Sequence, residues 1–420
     1  MVETFGEAVR RWREVRGVGQ RELARRAPLD PGHLSRLESG RRPPTAAIAA
    51  KLDAVLEAGG ELVRAATTVP PRSWVAGDGW TRADADALAD ALTAQAPSPG
   101  DALRIAHEWL VTEPPQVFEL RAGRRIGDDT VARVEERLRQ LRRLDDHLGG
   151  EQTRHLVTAE LAATAGLLRD AAYTEAVGRR LLTAVGELCQ LAGWVAADSG
   201  RSAEARRHYL DGVRAAHAAG DRAGGANNLS SLAYLTANTG DPREAVTLAR
   251  TAATGAVRER SATVTALQWE RVAWSHAKAG ERAAAERALS TVERTYDRRR
   301  PADDPSWVYW LTPDEVDIMA GRVWTQLRRP LRAVPILQRA VAGYSEETGR
   351  ETSLYLTWLA EALIQAGEIE EAANTAGRAL RLARRAGSRR VAHRVSVIRD
   401  RLREFADSPA VRALEDASDE

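Results

Sequence analysis

Two groups of residues in this 420-residue chain have types and spacing suited to recognition chemistry. The first lies in the segment Gln20-Arg-Glu-Leu-Ala-Arg-Arg-Ala-Pro-Leu-Asp-Pro-Gly-His-Leu-Ser-Arg-Leu-Glu-Ser-Gly-Arg-Arg-Pro-Pro44. Its arginines carry planar guanidinium forks, which can bond bidentately to guanine O6 and N7 or clamp phosphate. The second is Trp194, Tyr234 and Trp274, aromatic residues at 40-residue intervals. Rings at a fixed period offer contact area, and amides nearby can grip polar groups. Motifs for catalysis are missing. There is no Walker sequence, no Gly-x-Gly-x-x-Gly opening a βα unit and no Gly-x-Ser-x-Gly elbow. The eight histidines have no ligand spacing, and the single cysteine, Cys189, permits neither an internal disulfide nor a multi-cysteine zinc site. Its flanks read as a helix facing a core. The expectation is a protein without enzymatic activity, metal or cofactor.

The elements that must position these groups are helical. Residues 1–66 hold five short helical patterns. Residues 67–126 read as a linker, punctuated by Pro70-Pro71, Gly77-Asp78-Gly79 and Ala96-Pro-Ser-Pro-Gly100, with short helices near 84–92 and 101–110 and a stop at Pro114-Pro115. Residues 127–180 are a helical lead-in. Val131, Val134, Leu138, Leu141 and Leu144 recur at three- and four-residue steps between an Asp128 or Asp129 cap and Gly149-Gly150. From Gln152 onward helix follows helix, with no strand-like alternation.

Within the first group, Leu23 and Ala24 face inward from a short helix, and a tight connection covers 27–30. Asp30 suits an N-cap, Pro31 the first helical position, and Gly40 the stop, with Leu34 and Leu37 inward. A larger residue than Ala24 would push the two helices apart. Over residues 5–56 this resembles the phage-repressor-type helix-turn-helix of the XRE family, with its terminal signature present as Glu38-Ser-Gly-Arg-Arg42. The resemblance implies a buried Arg13–Glu38 ion pair that orients the recognition helix. It implies that Gln20, opening the second helix with Arg21 beside it, holds a backbone phosphate. Pro31, Gly32, His33, Ser35 and Arg36 would approach major-groove base edges, Arg36 foremost, and Arg41 and Arg42 would clamp phosphate. Pro31 and Gly32 offer little to a base, so His33 and DNA shape would contribute. Such modules bind paired half-sites, so the expected partner is double-stranded operator DNA with an inverted repeat, bound by a homodimer.

The net charge of +2 means that DNA affinity must come from a local patch. Basic charge is almost wholly arginine, with Lys51 and Lys278 the only lysines, which fits a GC-rich genome. An arginine therefore signals function only through its position. The first residues lack a signal-peptide pattern, and no stretch approaches the ~20 apolar residues of a membrane span. A cytoplasmic protein that makes no membrane contact is expected.

The second group sits on a repeat. Gly200, Gly240, Gly280, Arg328 and Gly367 align at spacings of 40, 40, 48 and 39 residues. Seven residues before each stands Gly193, Ala233, Ala273, Gly321 or Ala360, and five after stands Ala205, Ala245, Ala285, Ala333 or Ala372. Small residues let antiparallel helices approach, and glycine permits positive φ at the turn between them. Residues 181–386 thus resemble five tetratricopeptide repeats, longer than the usual ~34 residues, the fourth with Arg328-Arg329-Pro330 in place of its turn glycine. The resemblance implies a concave groove carrying Trp194, Tyr234, Trp274, Arg322 and Glu361, with Glu187, Gln190, Asn227, Ser230, Asn238, Glu270, Lys278 and Gln326 at other groove offsets. Gln190, Trp194, Asn227, Tyr234, Asn238, Glu270, Trp274 and Arg322 are the candidate effector site. Packing between repeats is the competing role for the same aromatics. Trp307–Trp310 in the long third connection suits either a lid or a plug. Residues 387–420 read as a capping helix and an acidic, frayed tail.

The expected fold is all-α: an N-terminal five-helix helix-turn-helix domain plus a C-terminal tetratricopeptide-like helical-hairpin solenoid. The layout resembles actinobacterial XRE regulators with such C-terminal halves, which implies DNA binding controlled by a peptide or small-molecule effector. The alternative is a DNA-bound scaffold whose groove recruits a partner protein.

Overall fold

The computed structural model describes residues 5–39, 44, 46–67, 81–92, 99–114, 123–148, 150–257, 259–344, 349–386 and 389–419. The chain divides into two compact units, residues 1–74 and 75–420. Gly40, Arg41, Arg42, Gly149 and most of the Pro/Gly punctuation between 68 and 98 lie outside the described residues.

The first unit contains α1 (Phe5–Val15), α2 (Gln20–Arg26), α3 (Pro31–Glu38), α4 (Ala46–Leu56) and α5 (Glu61–Thr67). Leu23, Ala24, Leu34 and Leu37 lie at 0–1% exposure in a core shared with Phe5, Val9, Leu52 and Leu62. Asp30 caps α3 by accepting from the His33 N–H at 2.9 Å, with Pro31 in the first helical turn. Asp53 caps α5 by accepting from the amides of Gly60 and Leu62 at 2.8 and 2.9 Å.

The second unit opens with α6 (Arg82–Ala91), α7 (Pro99–Val111), α8 (Asp128–Leu148) and α9 (Gly150–Asp170). Hairpins follow as α10 (Glu175–Asp198) with α11 (Ser202–Ala219), α12 (Arg222–Thr239) with α13 (Pro242–Gly255), and α14 (Ala262–Lys278) with α15 (Arg282–Tyr296). Two more are α16 (Pro313–Gln326) with α17 (Pro330–Ala342) and α18 (Gly349–Ala366) with α19 (Ile369–Ala386), before α20 (Arg389–Leu402) and α21 (Pro409–Asp419). Each hairpin packs on the next, so the fold is all-α: an N-terminal helix-turn-helix unit and a helical-hairpin solenoid. Thr174, Asp221, Asp241, Ser261 and Thr312 cap the first helices or their partners through side-chain oxygens. Among the described residues the only strand pairing is a two-residue parallel tie, β1 (Arg124–Arg125) on β2 (Ala171–Ala172).

The small positions do what their spacing implies. A Cβ at Gly193 would stand 2.5 Å from the Tyr209 ring, and one at Gly321 would stand 2.6 Å from Leu337. Ala205, Ala245, Ala285, Ala333 and Ala372 are all at 0% exposure. Gly200, Gly280 and Gly367 adopt φ of 78°, 76° and 84° at their turns. Gly240 departs from the pattern at φ −136°, while Arg328 takes the left-handed conformation at φ 54°. The Arg329 amide bonding back to the Trp324 carbonyl at 2.9 Å helps hold that arginine turn. Nothing stands within 4 Å of a Cβ at Gly280, so Gly280→Ala isolates the conformational cost. A loss of about 1–2 kcal/mol in denaturant unfolding is expected.

Two sequence expectations need correction. Residues 67–126 are not linker throughout, because α6 packs on α9 and α7 packs across α11 and α13. Trp109 is the reason. Its indole is 6% exposed and seated where a Cβ at Gly225 or Gly255 would fall 2.2 or 2.0 Å from it. The C-terminal tail is likewise not frayed through 409–419. Val411 and Leu414, three apart on α21, are buried against Ala373, Ala376, Ile398 and Leu402. Cys189 is fully buried, and desolvation pushes its thiol well up, which suits inert packing.

Candidate DNA-binding surface and interior ladder

In the first unit the recognition face is built from behind. Glu38, at the buried C-terminal end of α3, accepts from Arg13 Nε at 2.8 Å and from Gln20 Nε2 at 3.0 Å. Its side chain is 4% exposed and that of Arg13 18%. Arg13 Nη1 also donates to the Val18 carbonyl at 3.2 Å, and Arg10 Nη2 to the Glu38 carbonyl at 3.3 Å. One carboxylate thus ties α1, the start of α2 and the end of α3. The approach of α1 is close, since a Cβ at Gly6 would meet the carbonyl oxygens of Leu37 and Glu38 at 2.6 Å.

Pro31, Gly32, Ser35 and Arg36 are exposed on α3, and His33 is half-buried. Arg21 is exposed at the start of α2, while Gln20 is half-buried with its amide directed to Glu38. A Cβ at Gly32 would lie 3.6 Å from Arg36 Nη1, so the guanidinium leans along the bare N-terminal face of the helix. Arg25 and Arg26, on the other hand, both bond Glu22 and hold its carboxyl down at about 2. Their charge is half offset by that one carboxylate. Arg41 and Arg42 lie outside the described residues.

The second unit carries the aromatic ladder. Trp194 and Tyr234 have ring centroids 6.4 Å apart, Tyr234 and Trp274 6.2 Å. Repeat four offers Arg322 instead of a ring, and the ladder resumes with Trp358, 5.6 Å edge-on from Trp274. The Arg322 guanidinium lies 5.5, 4.9 and 5.1 Å from the Tyr234, Trp274 and Trp358 rings, and donates to the Tyr234 hydroxyl at 2.6 Å. Arg271 covers the other part of Tyr234 at 4.6 Å, and Arg394 covers Trp358 at 3.9 Å while bonding Glu361 at 2.5 Å. Glu315 accepts from the hydroxyls of Tyr344 and Tyr355. Burial raises Glu315 and pushes Glu270 up to about 7, despite the arginines nearby.

Of the candidate effector residues, the structure brings Tyr234, Glu270, Trp274 and Arg322 together. Trp194 extends the row at its half-buried end, and Gln190 bonds Ser231 Oγ at 3.4 Å beside it. Asn227 is buried on α12. Asn238 stands exposed, its amide bonding the Tyr234 carbonyl at 2.7 Å. Sequence reasoning missed Arg271, Trp358 and Arg394. Trp358 stands one turn before Glu361 on the same helix, a spacing that could have revealed it. In the third connection, Trp307 packs with Val264, Leu267, Tyr296 and Leu311, whereas Tyr309 reaches across to bond Asp146 on α8. Ser306 lines a recess of about 240 Å³ with Glu135, Arg180 and Glu187.

A five-helix unit that presents the outer face of its third helix, in a chain that also carries a helical-hairpin stack, defines the class. Residues 4–66 match the helix-turn-helix domain family, which supports a DNA-binding regulator. No curated protein matches the chain. No helix among the described residues is long and apolar enough to cross a membrane.

Proposed function

We propose that the protein is a sequence-specific transcriptional regulator of the XRE type. Its tetratricopeptide-like stack, residues 181–386, binds a small effector that controls operator binding. The observation that carries the first half is the exposed Arg36 face of α3, held in place by the buried Glu38 junction. That arrangement presents a guanidinium fork on a helix of fixed orientation, as major-groove readout needs. Arg21 and the N-terminus of α2 serve phosphate, with Arg41 and Arg42 adding to it. Gln20 supports this side indirectly, since its amide orients Glu38. Pro31, Gly32, His33 and Ser35 shape the remainder of the contact face. A cytoplasmic homodimer on an inverted repeat follows from the small area of one such module. Light scattering that finds a monomer both free and on DNA would refute the dimer.

The interior supports a small effector over a recruited protein, because Trp274 and Trp358 are under 10% exposed and so out of reach of a protein surface. A ligand acts on DNA affinity only through its differential affinity for two arrangements of the protein. The test of the reader is Arg36→Ala, measured by fluorescence anisotropy on an operator identified by genome-wide footprinting. A loss of roughly 1–3 kcal/mol on the operator is expected, with a much smaller change on random duplex. Equal losses on both would remove Arg36 from base reading.

A further inference from the structure

Among the described residues four arginines are buried, and two of them are ion-paired: Arg142 meets Glu187 and Arg214 meets Asp211, each at 2.7 Å. The other two are not. Arg271 and Arg322, at 7% and 8% exposure, have no carboxylate within ion-pair distance among the described residues. Guanidinium stays charged when buried, and here its desolvation is offset by aromatic rings, by the Tyr234 hydroxyl on Arg322 and by the Glu270 carboxylate at longer range, with no carboxylate in ion-pair contact. The hydrogen-bonding inventory points the same way. Nε of Arg271, Nε of Arg322 and the indole Nε1 of Trp274 and Trp358 are four buried donors without a partner; Glu270 Oε2, Gln268 Oε1 and Gln365 Oε1 are unpartnered acceptors on the same helices, and none of them bonds these donors. Burial raises the Glu270 carboxyl to about 7, so near neutral pH it offsets the two guanidiniums only in part.

We propose that the interior between α12, α14, α16 and α18 binds a small aromatic carboxylate. Its acid group is taken by Arg271 and Arg322, and its ring lies among Tyr234, Trp274 and Trp358. A carboxylate supplies the acceptors that the orphaned donors need, in the geometry a guanidinium prefers. The ring is argued from the ladder, whose members meet at centroid separations of 6.2–6.4 Å and form an aromatic lining. A cationic ligand is disfavoured because it would meet the positive charge of Arg271 and Arg322. Exposure rises from Trp274 and Trp358 to the half-buried Tyr234 and Trp194, so the ligand enters from the Trp194 end. The inference specifies the ligand of the sensor reading, on which it rests only for the consequence for DNA.

The test uses the full chain and three probes of one shape: 1-naphthoate, neutral 1-naphthalenemethanol and cationic 1-naphthylmethylamine, titrated calorimetrically. The acid is expected to bind at least tenfold more tightly than the alcohol, and the amine not at all. Arg271→Gln should bring the acid to the level of the alcohol while leaving the alcohol unchanged. Glu270→Gln, which removes the competing carboxylate and keeps the packing, should tighten the acid alone. This second variant decides the matter if the first does not fold. Equal affinity for acid and alcohol, no acid binding at millimolar concentration, or acid affinity unmoved by both substitutions would overturn the proposal. Acid binding that leaves operator affinity unchanged would instead overturn the sensor reading and leave the site standing.

Discussion

Glu38→Ala is expected to destabilise the N-terminal unit by about 3–5 kcal/mol and to abolish operator binding, because it strands a buried charge. Arg13 would keep its guanidinium at 18% exposure with only the Val18 carbonyl as acceptor, and the Gln20 amide would lose its partner. Native-state amide exchange on the full chain reads the effect locally, as faster exchange through α1–α3 with unchanged protection in α10–α19. Arg13→Leu combined with Glu38→Leu should recover most of the stability, since replacing both partners removes the unpaired charge. Failure of the double variant to recover would mean the junction acts by packing alone.

The second large effect is expected at Trp109. Trp109→Ala should cost about 3–5 kcal/mol in unfolding of the stack, as truncation of a buried aromatic does. Gly255→Ala should cost a comparable amount by a different route, since its Cβ would overlap the indole at 2.0 Å and expel it. The two losses share one contact and so cannot add. In the Trp109→Ala background, Gly255→Ala should be nearly neutral. Additive losses in equilibrium denaturation would show that the two residues are not coupled.

Much of this architecture is legible in the chain because its signals are local. Ser/Thr/Asp caps, turn glycines and alanines at fixed offsets mark the hairpins, and the Asp30-Pro31 pair starts α3 where expected. The Arg13–Glu38 pair, implied by family resemblance, is present at 2.8 Å. What sequence hid was long-range. The apolar face of α7 carries Ile105 and Trp109, but the seat that takes it consists of two glycines, Gly225 and Gly255, which give no pattern of their own. Val411 and Leu414 were outvoted by the acidic residues around them. In the ladder, the period of the repeat found Trp194, Tyr234 and Trp274, then misled. Repeat four substitutes an arginine, and its ring-bearing neighbour sits one helical turn off register at Trp358. Arg271 adjoins Glu270, and only three-dimensional placement separates a solvated arginine from a buried unpaired one.

Tyr309 gives the stack a mechanical property that a row of repeats does not have. An open solenoid behaves as a spring whose neighbours couple in one dimension. The Tyr309–Asp146 bond joins the third connection back to α8, 163 residues earlier, and so couples elements that are not neighbours in the row. Arg322 on α16 does the same from within, bonding the Tyr234 hydroxyl two hairpins back and lying against Trp274 and Trp358. A change of pitch at one repeat must therefore break or carry along contacts two repeats away, so the row answers strain as a block and not link by link.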